Sequence, residues 1–122
     1  MANSHEPLRP GPGDLDPLIH ERLRLGLLSA LAVQPELSFT ELRDLLATTD
    51  GNLSVHARKL EEAGFIVCQK QLELRKAKTV YALTERGREA LAAYLDTLTE
   101  MLPEPAAVRR GPRRDALRPA IT

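Results

Sequence analysis

The stretch that decides the fold runs from residue 38 to residue 86 and reads SFTELRDLLATTDGNLSVHARKLEEAGFIVCQKQLELRKAKTVYALTER. Its apolar residues follow helical spacing at first and then become dense and β-prone. The predicted order is a short helix, a polar turn, a second helix, a strand, a basic hairpin tip, a second strand and a new helix. This order predicts a mainly α-helical protein of the α+β class.

The first helix of this stretch begins at a capping box. Ser38 and Glu41 have the S-x-x-E spacing in which each side chain bonds the backbone N–H of the other residue. The apolar face of the helix consists of Leu42, Leu45 and Leu46. The helix is predicted to end near Ala47, because the polar turn ATTDG follows.

The next helix has a clear apolar stripe and a clear end. Either Thr49 or Asp50 caps its start, and the sequence does not distinguish them. The stripe has i, i+4, i+7 spacing and consists of Leu53, Ala57 and Leu60. Gly64 supplies the left-handed residue that ends the helix.

A β-hairpin is predicted immediately after this glycine. Residues 65–68 and 79–83 are rich in β-branched and aromatic side chains. The cations of the hairpin are Lys70, Arg75, Lys76 and Lys78. Such a hairpin can contact phosphates or enter a narrow minor groove, but the same charges also suit a simple solvated hairpin. Cys68 falls on the first strand, where a small buried hydrophobe is favoured over a redox-sensing thiol.

Helices are also predicted on both sides of the deciding stretch. The upstream helix begins after Asp16, with Pro17 in its first turn. Its stripe consists of Leu18, Ile19, Leu23, Leu27, Leu28 and Leu31. The downstream helix is capped by Thr84 and ends before Pro103. Its stripe consists of Leu91, Tyr94, Leu95, Leu98 and Leu102.

The remaining segments are Pro-rich and lack periodicity. Residues 1–13 are predicted to be a disordered arm and residues 103–122 a basic disordered tail. The tail either binds nucleic acid through its charge or is a solvated terminus. A single domain therefore spans residues 14–102.

Composition narrows the classes of function. The chain has 122 residues with a formal net charge of zero, which is not the basic balance typical of a nucleic-acid binder. One Cys excludes an internal disulfide, and three scattered His residues exclude a metal site. No catalytic motif is present, so we expect no enzyme and no cofactor. The absence of a signal peptide or membrane-spanning apolar run predicts a soluble, cytoplasmic protein.

The helix that begins at Thr49 or Asp50 is the third in the chain. Its outward side carries groups that can read DNA. Asn52, Ser54 and Arg58 offer hydrogen bonds to base edges, and Val55 offers an apolar contact to a thymine methyl. Arg58 and Lys59 can meet phosphates. An ordinary solvated helix face is the alternative, and the neighbouring acidic residues 61 and 62 favour it. His56 lies beside the buried stripe, where it either faces DNA or packs at the helix edge.

Three segments carry a resemblance to a known group of proteins. LRLGLLSAL, LSFTELRDLLATTDGNLSVHARKLEEAGFI and TVYALTERGREALAAYL resemble the winged helix-turn-helix DNA-binding domains of small MarR/ArsR-like transcriptional regulators. The resemblance implies a two-stranded wing and a C-terminal dimerisation helix. It also implies a homodimer that places its third helix in the major groove.

The resemblance assigns roles to individual residues. The positions that match the recognition helix are Asn52, Ser54, Val55, His56, Arg58 and Lys59. The positions that match the basic wing are Arg75, Lys76 and Lys78, and the charge pattern of the hairpin adds Lys70 to them. The dimer interface would contain Leu18, Ile19, Leu91, Tyr94, Leu95, Leu98 and Leu102. One departure is the wing tip, where Leu74-Arg75 and Ala77 replace the Gly-Arg and Pro often found in relatives. A tip without Gly or Pro is either differently shaped or longer in strand, and packing of Leu72 and Leu74 on a partner chain or on each other is the alternative to insertion of the wing into the minor groove.

The sequence thus predicts a sequence-specific transcriptional regulator, with repression favoured over activation. It would bind double-stranded DNA as a homodimer at a palindromic promoter site. The resemblance leaves room for a small organic effector near the dimer interface, although no residue indicates one. The rival interpretation is a winged-helix module that binds proteins and no specific DNA. A continuous positive surface along the third helix and wing would favour DNA over a protein partner.

Overall fold

A computed structural model of the chain describes residues 9–113 and has the α+β fold class that the sequence predicts. After a short 3-10 turn at Pro12–Asp14, the elements are, in chain order, α1 (Arg22–Val33), β1 (Leu37–Ser38), α2 (Phe39–Leu45), α3 (Asp50–Glu62), β2 (Ile66–Glu73), β3 (Lys76–Leu83), α4 (Glu85–Met101) and α5 (Pro105–Arg110). Among the described residues no helix is both long enough and apolar enough to cross a bilayer.

The helix-turn-helix is built from local signals that the sequence carries. Ser38 accepts a hydrogen bond from the Glu41 backbone N–H, and the Glu41 carboxylate accepts one from the Ser38 N–H. Thr49, rather than Asp50, caps α3, because its hydroxyl accepts a hydrogen bond from the Asn52 N–H. These caps set where both helices begin.

The second helix is shorter than predicted and buries less. It ends at Leu45, and Ala47 then takes a left-handed conformation with φ of 51°. Leu42 is fully buried, but Leu45 is 63% exposed, so its place on the buried face was predicted wrongly. A helix of two turns holds only a narrow stripe against the core.

Aliphatic side chains make most of the core, as the small number of aromatic residues predicts, although Phe65, Tyr81 and Tyr94 are also buried in it. The largest fully buried side chains are Ile19, Leu27, Leu28, Leu31, Leu42, Leu53, Leu60 and Ile66. The predicted stripe of α3 is buried as a whole, since Ala57 is 1% exposed between two fully buried leucines. This burial fixes which side of α3 is left facing outward.

The sheet has a strand that the sequence did not predict. It is three-stranded and antiparallel in the order β1-β3-β2. The short β1 pairs Leu37 with Tyr81 and Ser38 with Val80. Ser38 must be extended to cap α2, and this conformation also makes it available to the edge of β3. The two-stranded wing is therefore anchored to the helix-turn-helix by a third strand.

The wing is a longer hairpin than the sequence predicted. β2 and β3 pair continuously from Ile66 and Leu83 to Glu73 and Lys76, so only two residues form the tip. Those residues, Leu74 and Arg75, both have positive φ, of 52° and 69°. Two consecutive left-handed residues give the tight turn that matches strand twist, and they replace the glycine usually found there.

Cys68 lies in the sheet as a half-buried residue packed against the core. It pairs in register with Tyr81 on β3. Burial, followed by the nearby Cys68 thiol, raises the pKa of Tyr81 to about 12. This environment agrees with the interpretation of Cys68 as a small packed hydrophobe.

The first helix begins later than predicted. Asp16 accepts backbone hydrogen bonds from Ile19 and His20, which closes a single turn. Glu21 is then extended, with φ of −152°, and its carboxylate caps α1 by accepting from the Arg24 N–H. The predicted start of the helix at residue 17 was therefore wrong by five residues, because Glu21 caps the helix and α1 begins at Arg22.

The last long helix packs unusually close to the end of α3. Thr84 caps α4 through the Gly87 N–H, and its own hydroxyl donates to the Gly64 carbonyl oxygen. A Cβ atom at Gly87 would lie 2.1 Å from the carbonyl oxygen of Phe65. Glycine is required here by space, whereas Gly64 is required by its φ of 81°.

The chain ends are only partly described. Residues 105–110 form a short helix where no regular structure was predicted, and Pro105 starts it by supplying a preset φ. The remaining predictions for the arm at residues 1–8 and the tail at residues 114–122 lie outside the described residues. The Arg9 guanidinium donates to the Glu100 carbonyl oxygen over 3.2 Å, so the described part of the arm contacts the end of α4.

Candidate nucleic-acid interface

The outward side of α3 is a continuous exposed surface. Asn52, Ser54, Arg58 and Lys59 are all exposed, and Val55 is 54% exposed opposite the buried stripe. A shallow depression is lined by Ser54, Val55, Arg58, Lys59 and Glu62. The predicted recognition surface is thus assembled on one face, with hydrogen-bonding groups and cations around an apolar centre. Glu62 is the acidic exception within it.

His56 is directed away from this face. Its Nδ1 lies 2.8 Å from a guanidinium nitrogen of Arg24 and 3.6 Å from the Glu21 carboxylate. Arg24 also donates from Nε to the Leu18 carbonyl oxygen at 2.5 Å. The structure therefore places His56 at the edge of α3, in a cluster with α1, which is the packing alternative that the sequence left open.

Electrostatics stabilise this cluster. Burial by itself raises the pKa of Glu21, but backbone hydrogen bonds from Arg24 and Leu23 and the charges of His56 and Arg24 outweigh it, so the pKa is lowered. The carboxylate therefore stays ionised beside the guanidinium. A charged, hydrogen-bonded contact joins the start of α1 to the middle of α3.

The start of α3 is held by a second ion pair. Arg43 of α2 donates to Asp50 at 3.0 Å and to Asp44 at 3.1 Å. The hydrogen bond to Asp50, followed by that to Asp44, raises the pKa of Arg43. Because Asp50 is acidic and close to the reading face, its neutralisation reduces repulsion toward any polyanion there.

The wing carries exposed cations along its outer half. Lys70, Arg75 and Lys76 are exposed, and Lys78 is half-buried. Lys78 donates to Glu73 at 3.1 Å, and this hydrogen bond raises the pKa of the lysine. The pair neutralises the one acidic residue of β2, so the wing keeps a net positive charge.

The predicted dimer residues divide into two groups. Ile19, Leu91 and Tyr94 are 0%, 5% and 3% exposed and pack inside the domain itself. The Tyr94 hydroxyl lies 2.7 Å from Nδ1 of His20. The residues that remain accessible to another chain are Leu18, Leu95, Leu98 and Leu102, of which Leu95 and Leu102 are 46% and 48% exposed.

Sequence reasoning missed the residues that position α3. Glu21, Arg24 and Arg43 were not singled out, because their partners lie in other elements and have no periodic relation to them. The only local signal was the E-x-x-R spacing at residues 21–24, in which a carboxylate can cap a helix start. No cluster of three or more His, Cys, Asp or Glu able to hold a metal occurs within residues 9–113.

An exposed helix after a short turn, followed by a basic hairpin, defines a winged helix-turn-helix protein. The chain belongs to the family described as "Winged helix DNA-binding domain", whose sequence profile matches residues 23–102. It is 33% identical over 79 residues to an uncharacterised protein of Methanocaldococcus jannaschii, covering 65% of this chain and 86% of that protein.

Solved structures agree with this membership. A transcriptional regulator homologue from Pyrococcus horikoshii OT3 superimposes with a TM-score of 0.65 at 28% identity, over 69% of this chain and 83% of that one. A MarR family transcriptional regulator from Silicibacter pomeroyi superimposes with a TM-score of 0.55 at 20% identity, over 72% and 62% of the two chains. The second likeness is one of fold. The protein is a DNA-binding transcription regulator with a MarR-like fold.

Proposed function

We propose that this protein represses transcription in the cytoplasm by binding a palindromic promoter site as a homodimer, with one α3 helix in each half-site. The observation that carries the proposal is the exposed face of α3, where Val55 lies among polar and cationic side chains. No organic effector is part of the proposal.

The dimensions of α3 suit the major groove. The groove is about 12 Å wide, and an α-helix with its side chains is about 10–12 Å across. Asn52 and Arg58 can then donate to base edges, and Val55 can contact a thymine methyl. Lys59 supports the position by neutralising phosphate. Held by His56 on one edge and by the Arg43–Asp50 pair at its start, α3 is oriented before DNA arrives.

The homodimer rests on α4. Leu95 and Leu102 are half exposed on one side of this helix, and Leu98 lies between them. A second copy that covers this side would bury the leucines and relate the two α3 helices by a twofold axis. Two half-sites about 10 bp apart would then form an inverted repeat. Occupancy of such a site in a promoter would exclude polymerase.

The direct test of this proposal is selection of genomic DNA. The purified protein is incubated with sheared genomic fragments at ~150 mM salt, and the retained DNA is sequenced. Enrichment of a short inverted repeat upstream of genes is the expected result. Retention that is not sequence-selective and disappears with modest added salt would contradict it and would favour a protein-interaction module instead.

Truncating the cations of α3 is expected to weaken binding. Arg58→Ala and Lys59→Ala should each lower affinity for the selected site roughly tenfold. If the truncated side chain contacts a phosphate, the slope of log affinity against log salt should also fall in magnitude by about 1. Fluorescence anisotropy at several salt concentrations measures both quantities. Arg88→Ala is the matched control, since Arg88 is exposed on α4, outside α3 and the wing. Wild-type affinity for both α3 variants would refute the placement of α3.

Charging the exposed side of α4 is expected to separate the dimer. The double variant Leu95→Glu and Leu102→Glu should sediment as a monomer at micromolar concentration, because carboxylates would be buried without partners. Val33→Glu is the matched control, as Val33 is 78% exposed at the end of α1. A wild-type protein that is already monomeric would remove the homodimer and the palindrome from the proposal.

A further inference from the structure

The tip of the wing is built against the usual preferences of its residues. Glu73 and Lys76 are paired in register, so Leu74 and Arg75 alone make the turn. Both have positive φ, a conformation that glycine and asparagine adopt easily and leucine does not. A leucine at this position costs the hairpin stability, which a Gly or Asn would not.

The same leucine is nearly free of the rest of the protein. Its side chain is 92% exposed, and that of Leu72, two residues earlier, is 77% exposed. Within the described residues, Leu74 is not part of the apolar core and not among the residues packed against it. No packing within the described residues therefore compensates for its strained backbone or for its exposed apolar side chain. Strain of this kind at an exposed turn suggests a function.

The surroundings of Leu74 indicate what it contacts. Ala77 lies opposite Leu72 in register, so an apolar edge leads up to the tip. Lys78 neutralises Glu73, while Arg75 and Lys76 beside the tip form no ion pair within residues 9–113. An apolar point beside two cations is complementary to a minor groove, whose phosphates attract the cations and whose base steps accept an apolar wedge.

The wing is long enough to present this point away from the core. From Gln69 to the tip, β2 is exposed over five residues, and a strand rises about 3.3 Å per residue. Leu74 thus lies roughly 16 Å beyond the packed part of the sheet by that rise. A two-residue tip is narrow, which matters because the minor groove is only about 6 Å wide.

We propose that Leu74 inserts into the minor groove of double-stranded DNA beside the half-site read by α3, and partly unstacks one base step there. Arg75 and Lys76 hold the flanking phosphates. The inference rests on the proposed DNA-binding function and adds a source of specificity to it. Flexible pyrimidine–purine steps, TA and CA, are easiest to unstack, so the protein prefers them under the wing.

The test separates the wedge from a structural role. Leu74→Asn suits the left-handed turn, so the variant should unfold at the same or a higher temperature than the wild type. It should nevertheless bind the selected site about tenfold more weakly with an unchanged salt slope, because no charge is lost. Arg75→Ala, in contrast, should lower the salt slope. Val33→Asn, at another exposed apolar position, should change neither the affinity for the selected site nor the salt slope.

Unstacking is measured directly with 2-aminopurine placed at successive positions of the selected duplex. Wild-type protein should raise fluorescence at one step outside the major-groove contacts, and Leu74→Asn should abolish that rise. Equal fluorescence and equal affinity for both proteins would overturn the wedge while leaving α3 binding intact. A change of oligomeric state in Leu74→Asn would overturn it in favour of contact with a second copy. Failure of the wild type to select any site would overturn both proposals.

Discussion

Replacing Gly87 with alanine is expected to lower the free energy of unfolding by about 3 kcal/mol or more, the upper end of what overpacking costs. The new Cβ would lie 2.1 Å from the Phe65 carbonyl oxygen and 2.9 Å from its carbonyl carbon. These atoms belong to the backbone, so no rotamer change removes the clash. The chain would have to separate α4 from the end of α3.

The Phe65 backbone cannot move aside cheaply. Its N–H donates to the Leu60 carbonyl oxygen at 3.0 Å, and its carbonyl oxygen accepts from the Thr84 N–H at 3.0 Å. The Thr84 hydroxyl in turn donates to Gly64 and caps α4. A shift of either element would break hydrogen bonds that close the junction, which adds to the cost of the clash.

Urea unfolding followed by circular dichroism measures this loss, and Gly51→Ala provides the matched control. Gly51 lies in the first turn of α3, and a Cβ there would meet nothing within 4 Å. The control should gain roughly 0.5–1 kcal/mol, because alanine is favoured over glycine within a helix. Equal unfolding midpoints for the two variants would show that the Gly87 contact is not as close as described.

Elements with their own local signals could be predicted from the sequence. The Ser38–Glu41 capping box, the Gly64 stop and the Thr84 cap all act between residues close in sequence, and all three are found in the structure. The buried stripe of α3 could be predicted for the same reason, since helical spacing alone decides which side faces the core. The outward side of α3 follows as its complement.

Features that depend on distant parts of the chain were missed. The strand β1 exists because two extended residues meet the edge of β3, more than forty positions away. The length of the wing depends on pairing between the strands and on a two-residue turn at Leu74 and Arg75, whose positive φ values are not expected from these residue types. Similarly, α4 presents one apolar stripe in the sequence, and only packing shows that Leu91 and Tyr94 face inward while Leu95 and Leu102 remain exposed.

The candidate site likewise contains some residues that the sequence indicates and others that only the structure shows. The residues that would contact DNA are exposed and follow helical geometry, so a sequence can indicate them. The residues that position α3, Glu21, Arg24 and Arg43, act through contacts between helices and leave no periodic pattern. Their side chains are polar, so a hydropathy pattern treats them as surface, although Arg24 is only 9% exposed.

Replacing Arg24 with alanine is expected to lower the free energy of unfolding by about 3 kcal/mol, the low end of the cost of breaking a buried ion pair, because the Glu21 side chain is 29% exposed. The variant removes the donor to the Leu18 carbonyl oxygen and the partner of His56 Nδ1. It also leaves the Glu21 carboxylate without the nearby guanidinium, 4.0 Å away. Chemical unfolding measures the change.

Arg22→Ala is the control for this variant, since Arg22 is exposed in the same turn of α1 and should shift stability by less than about 0.5 kcal/mol. At a temperature where Arg24→Ala remains fully folded, its affinity for the selected DNA should still fall, because His56 no longer holds the edge of α3. The salt slope should stay at the wild-type value, since Arg24 meets no phosphate. Reduced stability with unchanged affinity would limit the cluster to a structural role, whereas loss of both would make it the part of the fold that aims α3.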